Sequence, residues 1–233
     1  MRIEPEISGV GVVLLGDFNP AIFAPAWFAM HRLLPRATAD SANLEVAHRQ
    51  LTAFSADWLH LQVTTDRFTT DTAQAPHVRV RDLVVRVFRE HLHHTPVRAM
   101  GINRRVHFRV GSLAERDRIG GALAPAEPWG RWRQELALDG KHGGMTSLRM
   151  SQLRPEDRSP GGSVNITVEP SKRIADASGV FVEVNDHYAA AETASVGAAE
   201  LMRVLDESFE QSIRRSDGII DHVMSLATES EES

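Results

Sequence analysis

MGINRRVHFRV, residues 100–110, alternates with a two-residue beat. Met100, Ile102, Val106, Phe108 and Val110 fall on one side of an extended chain, and Asn103, Arg105, His107 and Arg109 on the other. Successive side chains of a strand point to opposite faces, so the pattern predicts a strand with one apolar and one polar face. Arg104 alone interrupts the apolar side. A guanidinium there needs a partner. Asp17, Asp66 and Asp186 are candidates, and a structural ion pair between Arg104 and Asp66 is expected.

Upstream of this strand, Val78 to about His94 reads as a helix. Val80, Leu83, Val84, Val87, Phe88 and Leu92 form one stripe, with Arg79, Asp82, Arg86, Arg89 and His93 largely opposite. Pro96 ends it. Earlier still, Val10–Leu15 is an apolar run of strand length. Asn19–Ala24 is a tight turn or a single helical turn, because a proline inside a helix costs about 3 kcal/mol, and a buried helix begins near Pro25 and stops at Pro35. Leu44–Phe54 and Trp58–Phe68 predict a hairpin, with Thr69–Pro76 as a polar turn.

Downstream, Ser112–Leu123 is a short helix. Three strands follow at Met145–Leu153, Ser163–Glu169 and Val180–Asp186. From a cap at Ser195, Leu201, Leu205, Phe209, Ile213, Ile220, Val223 and Ala227 hold a helical stripe over about 30 residues, with a break expected at Gly218. The expected class is α+β, a largely antiparallel sheet (or sheets) with packed helices and a long C-terminal helix. The expected organisation has an N-terminal half (1–123) resembling a split β-α-β unit. An irregular connection (124–144, with Trp129 and Trp132) leads to a three-stranded half carrying the long helix (145–227). An acidic disordered tail (228–233) closes the chain. The two halves show no sequence repeat.

Composition narrows the function classes. A chain of 233 residues with 42% hydrophobic and 24% charged residues is of ordinary globular make-up. A net charge of −5 argues against a surface that seeks nucleic acid or anionic membrane as a whole. With no cysteine there is no disulfide, thiolate metal site or cysteine nucleophile. MRIEPEIS places acids where an export signal needs an apolar stretch, so a cytoplasmic chain without membrane contact is expected. Of the 26 basic residues only Lys141 and Lys172 are lysines, which leaves 24 arginines and points to a GC-rich bacterial coding bias.

Several stretches together resemble a known family: VVLLGDFNP (12–20), FSADWLHLQVTTDRFTTD (54–71), VRAMGINRRVHFRV (97–110), FVEVND (181–186) and LMRVLDESFEQSI (201–213). Their order is similar to that of a sporadically distributed family of bacterial proteins of unknown function. Its members open on a strand ending in an F-x-P turn and carry a Leu-Gln…Asp-Arg-Phe strand pair. A strand of R-Y-I-N-R-I type and a closing long helix follow. Leu61-Gln62, Asp66-Arg67-Phe68 and Gly101-Ile102-Asn103-Arg104 stand at the matching places, with Gly101 where the family has an aromatic. The resemblance implies a shared fold and brings no activity with it. Sporadic distribution suits an accessory role in a mobile-element or antiphage system, by analogy.

Three functions follow as expectations. The first is a non-enzymatic interaction or assembly protein, with a protein partner or a second copy of itself and no cofactor. Its motive is the absence of a nucleophile elbow or phosphate-binding glycine loop, together with the apolar surface of the long helix. The second is a polyanion- or nucleic-acid-binding module using Arg79, Arg86, Arg89, Arg105, His107 and Arg109, because arginine forks suit phosphate. The third is a metal-dependent hydrolase built on Asp17, Asp66 and the histidines of His91-Leu92-His93-His94. No metal site is assigned from it, since the carboxylate spacing of a metalloprotease helix is lacking.

Overall fold

The computed structural model describes residues 3–131, 135, 144–155, 160–175, 178–190 and 197–228. Nine strands form one sheet in which every neighbouring pair is antiparallel. They are β1 (Ile7–Gly16), β2 (Asn43–His48), β3 (Leu51–Ala56), β4 (Leu59–Thr64), β5 (Arg67–Thr72), β6 (Val97–Arg109), β7 (Leu148–Leu153), β8 (Gly162–Pro170) and β9 (Gly179–Ala189). Their order across the sheet is β2-β3-β4-β5-β1-β6-β9-β8-β7. The helices are α1 (Pro25–Met30), α2 (Arg36–Asp40), α3 (Val78–Arg86), α4 (Leu113–Leu123) and α5 (Ala199–Ser225). A π-helical segment, Val87–His91, extends α3. The α+β class therefore holds, on a single antiparallel sheet.

One topological unit occurs twice. A central strand (β1 or β6) leads through a helical connection into a meander. The last strand of that meander returns beside the first, and a helix (α3 or α5) then crosses the sheet. The seam between the two units falls between α3 and β6. The expected connection at 124–144 lies largely outside the described residues, as do the expected cap Ser195 and most of the acidic tail.

The expected hairpin is a four-stranded meander. Two-residue turns at Arg49-Gln50, Asp57-Trp58 and Thr65-Asp66 cut it, and Thr69–Thr72 belongs to β5 rather than to a turn. None of these turns contains glycine or proline. Asp57 takes the left-handed backbone (φ 50°) that a hairpin turn demands, and Asp tolerates it better than most residues. Because β5 returns antiparallel beside β1, the first half is a meander closed by its own first strand, not a split β-α-β unit.

Strand parity gives the inner strands one covered face, whereas the edge strands β2 and β7 are almost wholly exposed. Val10, Val12 and Leu14 of β1 share it with Met100 and Ile102 of β6, under Val80, Val84, Val87 and Phe88. A second apolar cluster joins Val106 and Phe108 of β6 with Val180, Val182 and Val184 of β9, under Ile119 of α4 and Ile220, Val223 and Met224 of α5. The 27-residue α5 spans both clusters and runs unbroken through Gly218. A mid-helix glycine costs about 1 kcal/mol, less than burying its neighbours Ile220 and Val223 returns. Its apolar stripe is thus spent on the sheet and is not left over for a partner, because the sheet is wider than expected.

Between the clusters the covered face is polar. The Arg104 Nε donates to Asp217 of α5 at 2.8 Å, and its Nη1 donates to the Ser8 hydroxyl at 2.8 Å and the Gly9 carbonyl at 3.2 Å. Asp66 is not its partner; the Asp66 carboxylate takes the Thr64 hydroxyl at 2.6 Å. Asp186, 1% exposed, accepts from Arg154, from Arg215 (2.6 Å) and from the Tyr188 hydroxyl (3.1 Å). Burial and this carboxylate push the Tyr188 phenol above its ordinary pKa.

Phe88 tests the larger cluster. It is fully buried, with ring centroids 5.2 Å from Phe68 and 6.0 Å from Phe18. Phe88→Ala is expected to lower unfolding free energy by about 3–5 kcal/mol, measured by urea denaturation. Met30→Ala, at an exposed position, is expected to shift it by less than about 0.5 kcal/mol.

Candidate functional site: the open face of the sheet

The second face of the sheet carries the alternate residues of each strand, and no helix crosses it among the described residues. One transverse row follows directly from the register: Asn43, Ser55, His60, Asp71, Gly11, Asn103, Asn185, Asn165, Ser151, one residue from each strand. With strands about 4.8 Å apart the row is roughly 38 Å long. Every member is polar except Gly11 at its centre.

Half of the row is a chain of amides passing hydrogen bonds one way. The Asn165 amide donates to Asn185 Oδ1 at 3.3 Å, Asn185 to Asn103 Oδ1 at 2.7 Å, and Asn103 to the Gly101 carbonyl at 3.3 Å. At the outer end the Ser151 hydroxyl donates to Asn165 Oδ1 at 2.7 Å. In the other half His60 Nδ1 lies 3.5 Å from Asp71 Oδ1, and the Ser55 hydroxyl donates to Glu45 at 2.6 Å. Two glycines make room for side chains to lie flat. A Cβ on Gly101 would stand 2.5 Å from the Asn185 amide nitrogen, and one on Gly11 would stand 2.8 Å from the Arg105 guanidinium.

The basic residues expected to form one surface divide between the two faces. Arg79, Arg86 and Arg89 lie on the helical side. Arg79 donates to the Ala75 carbonyl and lies over the Trp58 ring, Arg86 faces Glu90 at 3.7 Å, and Arg89 pairs with Asp206 at 2.9 Å. Arg105, His107 and Arg109 lie on the open side. Arg109 pairs with Glu6 at 2.5 Å. Arg105 reaches Asp71 at 3.8 Å and Glu183 at 3.6 Å, beyond hydrogen-bonding distance. His107 Nδ1 meets the Ser171 hydroxyl at 2.8 Å, and its ring stacks on Phe181 with centroids 4.6 Å apart.

The groups considered for metal chemistry do not converge. Asp17 pairs with Arg98 at 2.9 Å. Asp66 is held below the usual carboxylate range, chiefly by the Thr64 hydroxyl, with Arg98 contributing. His91 lies tilted against His31 (4.3 Å) and meets Trp27 edge-on (5.9 Å), while His93 and His94 lie tilted against each other. No group of three or more histidine or acidic side chains is placed to hold a metal among the described residues. No described helix is long and apolar enough to cross a membrane.

No protein-family model matches the chain, and no curated protein matches it. The site therefore rests on its own geometry. It offers amide, hydroxyl and imidazole groups for hydrogen bonding, with charges at intervals. The sequence pattern assigns no binding role to Asn165, Asn185, Phe181 or the segment at Lys172-Arg173. The alternation within FVEVND gives the strand and parity of Phe181 and Asn185 but not their register against Asn103.

Two outcomes test this arrangement. Asn185→Leu leaves the buried Asn103 carbonyl oxygen without its donor and is expected to cost about 1–3 kcal/mol, whereas Ser151→Ala at the exposed end costs less than about 0.5 kcal/mol, both by urea denaturation. Four imidazoles, His77, His91, His107 and His187, are held below their ordinary pKa of 6.5, each chiefly by burial. The unfolded chain then binds protons more readily than the folded one. The stability contributed by neutral rings is complete above pH 6.5 and is lost as pH falls through the lower folded values. Melting temperature should drop between pH 7 and 5. For His107, which faces Arg173, Glu169 and Ser171, a Gln replacement should make that drop shallower.

Proposed function

We propose that this chain is a non-enzymatic interaction protein of a bacterial cytoplasm, working as a subunit of a complex or as an oligomer, and that it meets its partner with the open face of its sheet. The observation that carries this reading is the nine-residue polar row. Antiparallel sheets often leave one face to water, but a solvated face needs no register. Here three amides align across three strands, with the Ser151 hydroxyl on a fourth, and two glycines, Gly11 and Gly101, keep the middle of the face low. Such a surface recognises an extended polar partner through many modest hydrogen bonds rather than through a hydrophobic anchor.

A polyanion surface made of all six basic residues finds less support, because three lie on the opposite side and most are matched by carboxylates. An accessory role in a mobile-element or antiphage system remains compatible with a binding protein of this kind.

Retention of partners from the native host tests the reading. Gln62→Arg and Thr167→Arg place bulk and charge on the open face, and Glu210→Arg does the same on the helical side. A species retained by wild type and by Glu210→Arg, but lost from both open-face variants, is the expected result. Loss with Glu210→Arg alone, or no retained species together with a monomeric mass by light scattering, would overturn it.

A further inference from the structure

Lys172, one of only two lysines in this arginine-rich chain, lines a cleft of about 280 Å³ at the His107 end of the open face. Arg105 and His107 of β6, Phe181 of β9, and Lys172 and Arg173 of the segment after β8 build its walls, with Gly9 beside them. Two acids, Asp71 and Glu169, also line it.

The segment bearing Lys172 and Arg173 is fixed. The Ser171 N–H donates to the Gly179 carbonyl at 2.9 Å. The Ser171 hydroxyl oxygen accepts from the N–H groups of Arg173 (3.1 Å) and Ile174 (3.2 Å). Both of its lone pairs are thereby engaged, so its single proton goes to His107 Nδ1, 2.8 Å away. That assigns the tautomer: His107 carries its own proton on Nε2 and enters the cleft chemistry as a neutral donor.

The cleft's cations have donors to spare. Arg105 makes no hydrogen bond among the described residues, and its two carboxylate neighbours stand off at 3.6 and 3.8 Å. The side chains of Lys172 and Arg173 have no carboxylate within 4 Å and no hydrogen-bond acceptor among the described residues. Many other arginines face a carboxylate, among them Arg36, Arg86, Arg89, Arg98, Arg109 and Arg203, and the cleft differs in gathering three cations around one cavity. Three cationic groups and a fixed imidazole N–H are more donors than the two oxygens of a carboxylate can satisfy, and they suit the three oxygens of a phosphoryl group.

We propose that this cleft binds a phosphate-bearing anion, its phosphoryl oxygens held by Arg105, Lys172 and Arg173 with His107 Nε2–H as a fourth donor. Asp71 and Glu169 oppose the anion and limit its affinity. Phe181, one ring face on His107, offers apolar surface to whatever carries the phosphate.

Titration calorimetry of the full chain at about 50 mM salt, where phosphate contacts are strongest, tests this without any protein partner. The probes are inorganic phosphate, pyrophosphate and adenosine monophosphate. One-to-one binding is expected, weakened about tenfold or more by Lys172→Ala or Arg173→Ala, both exposed positions whose replacement should leave the melting temperature unchanged. Glu169→Gln should tighten binding several-fold. Arg149→Ala, on the same face but outside the cleft, should leave it unaltered. Tighter binding of the nucleotide, lost in Phe181→Leu, identifies a nucleotide as the source; equal binding identifies the phosphoryl group alone. The proposal is overturned by absence of heat with all three probes. It is overturned equally if Arg149→Ala weakens binding as much as Arg173→Ala, which marks diffuse charge, or if Glu169→Gln weakens it, which marks a cationic or zwitterionic ligand.

Discussion

The pairing of β1 with β6 is the constraint on which the rest of the molecule depends. It runs from Ile7 opposite His107 to Gly16 opposite Val97, and every other strand is hydrogen-bonded outward from it. Because side chains alternate strictly, this one register decides which residues of the remaining strands are covered and which are open. A slip of one residue would bring Asn103 and Arg105 under α5 and expose Met100 and Ile102. The apolar content of the covered face forbids that slip, so the packing that stabilises the core also aligns the polar row on the far side. Core and candidate surface are two consequences of one register.

The same register explains Arg104. Opposite Val10 on the covered face, its guanidinium could not be left without a partner. The partner is Asp217, 113 residues further along the chain and delivered by the crossing of α5. With Asp186 and its arginines it forms a polar band between two apolar clusters. Arg104 is buried and Asp217 partly exposed, so removing the carboxylate leaves the guanidinium unpaired, whereas forming the pair adds little net stability. Its effect is therefore to fix where α5 lies, since only one placement of the helix satisfies both Arg104 and the two apolar clusters.

Legibility followed the physics of each element. Where one face is apolar and the other polar, as in residues 100–110 or along α5, periodicity in the sequence is set by burial and was readable. The meander of β2–β5 was not, because turns at Arg49-Gln50, Asp57-Trp58 and Thr65-Asp66 lack glycine and proline, and two strands of six residues joined by such a turn read as one longer strand. Asn165 and Asn185 lay within expected strands, but parity alone cannot say which residue sits beside which on a neighbouring strand. Register comes from the packing of the whole sheet, which no local window contains. Strand and turn carboxylates such as Asp66 are the partners that local pattern offers Arg104. Asp217 lies on a helix whose path over the sheet had no local signal.

Arginine coding bias posed the hardest question, since it makes any single basic residue uninformative. Pairing answers it. An arginine retained only for solubility can pair with nearby acids at little cost, and Arg36, Arg86, Arg89, Arg98, Arg109 and Arg203 each do so. Such exposed pairs contribute little stability, but they cancel the local field. A chain of net charge −5 has acids enough to cancel every cation it exposes. The cleft beside His107 departs from that pattern: Arg105 is held off its carboxylates, and Lys172 and Arg173 project from a turn fixed by Ser171. Uncancelled donors that converge on one cleft, on a turn held by the Ser171 hydrogen bonds, are the distribution that binding an anion requires and that scattered coding bias alone does not produce.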